Sequence, residues 1–356
     1  MIQERLKALR AEMEKRGITV YVVPTADFHE SEYVGDHFKA RKFITGFTGS
    51  AGTAVITLDE AGLWTDGRYF VQAENQLKDS TVTLYRMGEE GVPTVDEFVK
   101  DRLKEGGCLG FDGRVVNGTW GGKLEKIAAE KNVSMHVTED LIDLIWEDRP
   151  ALSKQPLFIL EEKYSGKSTA DKIADLRKAM KENGADVHIL TSLYDIAWLL
   201  NIRGNDIDYV PVVLSYLVLN ETECIWFLQE EVVDDKIRAY LEEKHITTKP
   251  YDAIYDYVPE IPADAVVLMN RGTVNYRIVN SLDKAIKVVD KPNPTELMKA
   301  VKNKTEVDNT RTAHVKDGVA FTKFMYWLKT NIGKIPMTEI SVSDYLEQLR
   351  REQEGN

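Results

Sequence analysis

One pattern of apolar residues and glycine occurs twice in this chain of 356 residues. In each copy a leucine and a methionine stand at helical spacing, a glycine follows that can end the helix, and a β-branched run comes next. The matching positions keep one constant offset: Leu9, Met13, Gly17, Val20 and Val22 in the first copy, and Leu176, Met180, Gly184, Val187 and Ile189 in the second. Such internal similarity predicts two copies of one structural unit.

Each copy alternates between strand-like and helix-like segments. In the first copy, apolar strand patterns at residues 82–85 and 109–111 enclose a helical pattern at residues 94–103. In the second copy, residues 212–218 and 224–228 form a strand pair joined by a polar turn. This alternation predicts an α/β fold in which each copy is a mixed sheet flanked by helices.

The predicted domain boundaries lie at proline-containing breaks in this alternation. Residues 147–166 lack periodicity and contain two prolines, and residues 290–294 contain two more. We therefore expect one domain at residues 1–150, a second at residues 151–293, and a C-terminal helical segment at residues 294–356.

The C-terminal segment has a pattern of its own. A helical pattern runs from residue 296 to 328, Pro336 interrupts it, and a further helix is predicted at residues 341–351. Since two helices cannot bury their apolar faces as a domain, we expect this segment to be the truncated start of a third domain. Its apolar residues are expected to pack on a second molecule or on the middle domain: Val315, Val319, Phe324, Trp327 and Leu328.

Residues 46–74 contain most of the chemically informative positions. Three glycines lead into a strand, a tight turn and a second strand, which ends in the polar corner Asp66-Gly67-Arg68-Tyr69. The glycine spacing fits neither a phosphate-binding loop nor the G-x-S-x-G of a serine nucleophile. A simple alternative is that Asp66 and Arg68 only tie a turn together. The second copy lacks this corner, which favours a role for the two residues beyond the fold itself.

Composition excludes several classes of partner and location. The net charge of −12 opposes binding to nucleic acid and to anionic membranes. The chain has two cysteines, both in apolar strand-like runs, so a disulfide framework is not expected. No segment resembles a signal peptide or a membrane span. These features predict a cytoplasmic protein that binds neither nucleic acid nor membrane.

No catalytic or metal-binding constellation is visible in these residues. The six histidines form no H-x-x-x-H pair and have no cysteine nearby. His29 lies in a polar stretch that is predicted to start a helix around Ser31, and His314 on the long helix is expected to be a packed or capping residue. Asp206 and Asp208 are expected to be solvated loop charges.

Several motifs resemble the three-domain Xaa-Pro aminopeptidases, also called aminopeptidase P. Those of the N-terminal domain are His29-x-Ser31-Glu32-Tyr33, Gly46-Phe47-x-Gly49-Ser50-Ala51-Gly52-Thr53-Ala54 and Trp64-Thr65-Asp66-Gly67-Arg68-Tyr69-Phe70. Residues 195–204, DIAWLLNIRG, resemble the middle domain of that family. Residues 300–303 and 313–320 resemble the first helices of its pita-bread catalytic domain. The resemblance covers essentially the whole chain.

The resemblance implies a function for the whole enzyme. Members of this family have creatinase-like N-terminal domains, are homodimeric cytosolic enzymes, and remove the first residue from peptides whose second residue is proline. Two metal ions, usually manganese, are held by two aspartates, a histidine and two glutamates of the catalytic domain, and they activate a bridging water. We expect these ligands to lie beyond Asn356, so this chain is predicted to hold no metal or catalytic residue and to be inactive alone.

The resemblance also implies which residues of this chain face a substrate. In such a dimer the N-terminal domains help to form the mouth of the active site. Arg68 is accordingly predicted to contact substrate, and His29 is a second candidate. A stand-alone module that binds peptides or mediates dimerisation is the alternative, and the helix cut short at the end of the chain favours a truncated enzyme. Creatinase or a prolidase is a further alternative, against which the tandem N-terminal domains argue.

Overall fold

The computed structural model describes residues 1–353. The first sheet domain consists of α1 (Ile2–Lys15), β1 (Val20–Pro24), α2 (Ala40–Thr45), β2 (Thr53–Thr57), β3 (Ala61–Thr65), α3 (Phe70–Leu77), β4 (Thr83–Arg86), α4 (Val95–Arg102), β5 (Cys108–Phe111), α5 (Gly118–Glu130) and β6 (Ser134–His136). The order of strands in its sheet is β4-β3-β2-β1-β5-β6. The central strand β1 is buried along its whole length because helices cover both faces of the sheet.

The second sheet domain repeats this arrangement. It follows β7 (Phe158–Ile159) and α6 (Glu162–Ser165), and consists of α7 (Thr169–Glu182), β8 (Val187–Leu190), α8 (Leu193–Leu200), β9 (Ile202–Arg203), β10 (Ser215–Leu219), β11 (Cys224–Leu228), α9 (Asp235–Glu243), β12 (Thr247–Pro250), α10 (Ile254–Tyr257), β13 (Val266–Met269), α11 (Tyr276–Ser281) and β14 (Lys287–Asp290). Its strand order, β12-β11-β10-β8-β13-β14, is the same as that of the first sheet.

The strand directions and one side-chain contact also match between the two domains. β1 is antiparallel to β2 and parallel to β5, and β8 is antiparallel to β10 and parallel to β13. Arg10 of α1 donates to the carbonyl of Thr57 in one hairpin, and Arg177 of α7 donates to the carbonyl of Asn220 in the other. The predicted duplication and the predicted α/β class are therefore confirmed.

The two sheet domains contact each other through equivalent segments. Asn117 caps α5 and Asn275 caps α11, and these two helices pack together. The backbone hydrogen bonds are reciprocal: Gly118 N–H donates to Val274 at 2.8 Å and Tyr276 N–H to Val116 at 2.7 Å, while Thr119 N–H donates to Arg271 at 3.0 Å and Arg277 N–H to Gly113 at 2.9 Å. Such reciprocity is the property of a two-fold interface, and here it occurs within one chain.

A glycine allows the helices to approach at this interface. A Cβ atom at Gly121 would lie 2.1 Å from the ring of Tyr276, whereas one at Gly122 would meet nothing within 4 Å. Only the first of these adjacent glycines is therefore required for the domains to pack.

Two predicted helices differ from the structure. No helix begins near Ser31, because the Asp27 carboxylate accepts hydrogen bonds from the backbone N–H groups of His29 and Ser31 and stabilises a turn instead. The long helix predicted over residues 296–328 is two helices, α12 (Pro294–Ala300) and α13 (Lys304–Asn331). Asn303 separates them, since its side chain and that of Glu306 form a capping box.

Residues 160–168 and 297–353 form a separate compact unit. Within it, α13 packs on α14 (Glu339–Arg351) around Ala320, Phe324 and Leu349, and the rings of Trp327 and Tyr345 lie 4.1 Å apart. The prediction for Phe324 was therefore wrong, because its ring is buried against the next helix of the same chain, whereas Trp327 and Leu328 are only half-buried there and their packing on another molecule stays a prediction. Val315 and Val319 are 68% and 44% exposed, so their packing on another molecule stays a prediction.

Candidate functional site

A cleft of about 760 Å³ lies between the two sheet domains. The first domain contributes residues from segments 32–42 and 48–50, the connection contributes Pro150 and Ala151, and the second domain contributes the 205–209 loop. This volume is typical of pockets that bind small molecules or peptide segments. The cleft is therefore the candidate site around which the predicted residues can be located.

Arg41 fixes the glycine-rich loop that forms one wall of the cleft. Its guanidinium donates to the carbonyl oxygens of Phe47, at 2.5 Å, and Gly49, and Nε donates to the Thr25 hydroxyl at 2.9 Å. Arg41 is buried, and this burial lowers the pKa of its guanidinium to about 10. Sequence reasoning missed this residue, although an arginine shortly before a glycine-rich loop is a signal that the loop carbonyls can be bound.

The predicted corner at the end of β3 is present, and the side chains of Asp66 and Arg68 form an ion pair within it. The Asp66 carboxylate accepts from the backbone N–H of Arg68 at 3.1 Å and from its Nε and Nη2 at 2.9 Å each. These bonds hold the pKa of Asp66 at about 2. Arg68 is 68% exposed, and the hydroxyl of the next residue, Tyr69, lies 2.6 Å from the hydroxyl of Ser50 in the cleft wall. Arg68 thus lies beside the cleft, and its contact with substrate stays a prediction.

A second Asp-Gly-Arg corner follows β5 and has the same geometry. Asp112 accepts from the backbone N–H of Arg114 at 2.9 Å and from its Nε and Nη2 at 3.0 Å. This pair is much less exposed, and the Arg114 guanidinium lies over the ring of Phe28. The motif therefore closes turns at strand ends in either environment, as the simple interpretation expected. The exposure of Arg68 is what distinguishes it from Arg114.

His29 is buried between the two sheet domains. Its Nδ1 lies 3.0 Å from the carbonyl oxygen of Thr191 and its Nε2 lies 2.6 Å from the Tyr251 hydroxyl. A carbonyl only accepts, so Nδ1 carries the proton and Nε2 accepts from the tyrosine. Burial lowers the pKa of the imidazole to about 4, so the ring is neutral at pH 7. With 2% exposure and both nitrogens bonded, His29 offers no free atom to a substrate in this structure.

Two polar residues lie in environments other than those predicted. Asp206 is buried rather than solvated, because its carboxylate accepts from the backbone N–H groups of Leu214 at 2.8 Å and Gln155 at 3.2 Å. It thereby fixes the 205–209 loop at the cleft. His314 is exposed, and its Nδ1 lies 2.8 Å from the carbonyl of Thr310 on the same helix, so it neither packs in a core nor caps a helix end.

The described residues do not fit a dinuclear metal centre. Within residues 1–353, no group of three or more His, Cys, Asp or Glu side chains is arranged to hold a metal ion. Of the acids that line the cleft, Asp206 accepts from backbone N–H groups and Asp36 pairs with Lys39. In the same part of the chain, the helices are all too short or too polar to span a bilayer.

Comparison with known proteins explains the repeated domain. Residues 5–145 and residues 148–306 each match a family model described as the creatinase/prolidase N-terminal domain. The chain belongs to the creatinase/prolidase family. The two family matches correspond to the two sheet domains, and the resemblance stated from the sequence motifs is confirmed.

The sequence similarity of this chain to its relatives includes the C-terminal helices as well as the two sheet domains. The chain is 38% identical to a probable Xaa-Pro aminopeptidase P of Neurospora crassa over 98% of its own length and 53% of that protein. It is 33% identical to Xaa-Pro aminopeptidase 1 of Dictyostelium discoideum, over 99% of its length and 58% of that protein. The chain thus spans little more than half the length of the curated relatives it matches.

A solved structure has the same arrangement of elements. The X-prolyl aminopeptidase of Caenorhabditis elegans, described as a cytosolic enzyme with a dinuclear active site, superposes with a TM-score of 0.92 at 31% identity. The match covers 99% of this chain and 60% of that one. The α/β fold of both sheet domains and the C-terminal helices are therefore shared with an aminopeptidase.

Proposed function

We propose that this chain is the N-terminal region of an Xaa-Pro aminopeptidase, an enzyme that removes the first residue from peptides whose second residue is proline. The main support for this proposal is the superposition on the Caenorhabditis elegans X-prolyl aminopeptidase, with a TM-score of 0.92 over 99% of this chain. The curated relatives, named as Xaa-Pro aminopeptidases, favour this function over a stand-alone peptide-binding or dimerisation module.

The proposal assigns the chemistry to residues outside the described part of the chain. Two divalent metal ions, manganese in our proposal, would supply an activated water for attack on the scissile carbonyl. Residues 1–353 lack a donor cluster for these ions, and the Neurospora crassa relative is nearly twice as long as the part that matches this chain. We therefore expect the 356-residue chain to bind no catalytic metal and to hydrolyse no peptide alone.

Within this proposal the two sheet domains form one wall of the substrate site. Arg68 is the proposed substrate-facing residue, supported by its 68% exposure beside the cleft. His29 is a positioning residue instead, because its ring joins the first domain to Thr191 and Tyr251 of the second. A homodimer, a cytoplasmic location and domain boundaries at residues 150 and 293 complete the proposal.

The test compares two lengths of the protein in one assay. Hydrolysis of the tripeptide Arg-Pro-Pro is measured with manganese for the 356-residue chain and for a version extended through the following open reading frame. Activity in the extended version alone supports the proposal. Absence of activity in both, or activity in the shorter chain, contradicts it.

The role of Arg68 is tested in the extended enzyme. Arg68→Ala should raise KM for the peptide roughly tenfold to a hundredfold if the guanidinium binds substrate, since a lost charged hydrogen bond costs about 1.5–3 kcal/mol. The control is Lys178→Ala, which also removes an exposed, ion-paired cation. An unchanged KM in the Arg68 variant would refute its substrate contact.

A further inference from the structure

Tyr209 combines an unfavourable backbone conformation with a side chain that lies outside the core. Its backbone φ is +63°, in the left-handed region that a bulky residue rarely adopts, and its side chain is fully exposed. Such a conformation costs of order 1–3 kcal/mol and persists only where neighbouring contacts impose it. Here they do: Val210 N–H donates to Ile207, and Asp206 binds the backbone of Leu214. The loop thus holds an aromatic ring in solvent at the edge of the cleft.

A second exposed tyrosine lines the cleft from the other sheet domain. Tyr33 of the first domain lines the same cleft and is 56% exposed. Its segment is held by the Asp27 turn, whose carboxylate accepts from the backbone N–H of Ser31 at 2.9 Å. The second domain carries Tyr209 on a fixed loop, so both aromatic walls are present before any ligand binds. Aromatic side chains carried on fixed backbone segments are typical of grooves that bind extended, proline-rich peptides.

Each tyrosine directly follows an exposed acid. Glu32 precedes Tyr33, Asp208 precedes Tyr209, and all four residues line the cleft. The other acids of the cleft are engaged: Asp36 pairs with Lys39, and Asp206 accepts from backbone N–H groups. Among the basic residues of the cleft, Lys39 pairs with Asp36, Arg41 is bound to loop carbonyls and Lys42 is exposed. Glu32 and Asp208 together outweigh Lys42, which leaves a small net negative charge for a basic ligand.

From these observations we infer that the interdomain cleft binds a basic, proline-containing peptide segment in an extended conformation, with prolines against Tyr33 and Tyr209 and lysine or arginine side chains near Glu32 and Asp208. A proline-rich segment is already extended before binding, so it loses little entropy on entering the groove. The inference rests on the proposed function, since it names the part of a peptide substrate beyond the scissile bond as the occupant.

Binding is measured with the 356-residue chain, without hydrolysis. Fluorescence anisotropy of a fluorescein-labelled peptide of alternating lysine and proline should show saturable binding that weakens with salt. Tyr209→Ala and Asp208→Asn should each weaken binding about fivefold to tenfold. Tyr326→Ala is the matched control, because it removes a tyrosine that is 74% exposed outside the cleft. A peptide with glutamate in place of lysine should bind far more weakly.

Three results would overturn the inference. They are the absence of saturable binding, equal binding of the glutamate peptide, and cleft variants that bind like the wild type while retaining its circular dichroism spectrum. A further check uses the longer chain, which should bind the same peptide; loss of binding there would also overturn the inference, because the cleft would then be filled by the rest of the polypeptide rather than by substrate. Because the assay needs no metal and no hydrolysis, its failure is distinguishable from a failure of the proposed aminopeptidase function.

Discussion

Replacing His29 by glutamine changes both the stability of the protein and the way in which stability depends on pH. The imidazole is neutral and buried, with a folded pKa of about 4, against about 6.5 in an unfolded chain. Between these values the unfolded state binds more protons than the folded state. The free energy of unfolding therefore falls as pH falls from 6.5 towards 4.

The size of this effect follows from the two pKa values. The linkage relation gives a loss of about 2 kcal/mol between pH 7 and pH 5 from this one histidine. At pH 7 the variant should also lose about 1–3 kcal/mol, because a glutamine amide can donate to the Thr191 carbonyl but leaves the buried Tyr251 hydroxyl poorly bonded.

The assay is urea unfolding of wild type and variant at pH 7 and pH 5, followed by tryptophan fluorescence. The stability difference between the two pH values should be about 2 kcal/mol smaller in His29→Gln than in the wild type. His314→Gln, at an exposed histidine, should leave that difference unchanged. Equal pH dependence in wild type and His29→Gln would refute the assignment of His29 as a neutral link between the domains.

Further variants test the domain interface, the cleft wall and the buried thiol. Gly122→Ala should stabilise the protein by up to about 1 kcal/mol through helix propensity. Gly121→Ala should destabilise it by about 1–2 kcal/mol, because its Cβ would clash with Tyr276. Equal urea midpoints for the two variants would contradict the close packing of α5 on α11. Arg41→Lys should cost about 2–3 kcal/mol, since an ammonium cannot reach both loop carbonyls and the Thr25 hydroxyl; this is measured by thermal unfolding, and an unchanged midpoint would argue against the role of the guanidinium. Cys224 is buried with a pKa raised to about 12, so the native protein should react with a thiol reagent only after unfolding; rapid reaction of Cys224 in the native state, located by peptide mapping, would show that the strand is accessible.

Much of the fold could be predicted because local patterns and packing agree. The repeated leucine, methionine and glycine positions correspond to α1 and α7, and the β-branched runs that follow are the central strands β1 and β8. Helix ends were predicted less accurately where a single side chain determines where a helix stops. Asn303 ends one helix and starts another through its capping box, and apolar periodicity does not register such a contact.

The site was less predictable, because its residues interact over long distances along the chain. The environment of His29 depends on Thr191 and Tyr251, and the burial of Asp206 depends on Leu214 and Gln155. A charged residue in a polar stretch has the same sequence pattern whether it is solvated or bound to backbone groups. The Asp66–Arg68 pair was predictable as a turn, since its partners lie two residues apart.

The reciprocal contact between α5 and α11 joins two halves of one polypeptide rather than two molecules. Its association is therefore intramolecular, with an effective concentration that does not change on dilution. In a symmetric dimer every substitution would occur on both sides of the axis, and a cleft beside it would occur twice. Tandem duplication removes this constraint. His29 and the two cleft tyrosines could therefore arise in one half of the duplication without a matching residue in the other half.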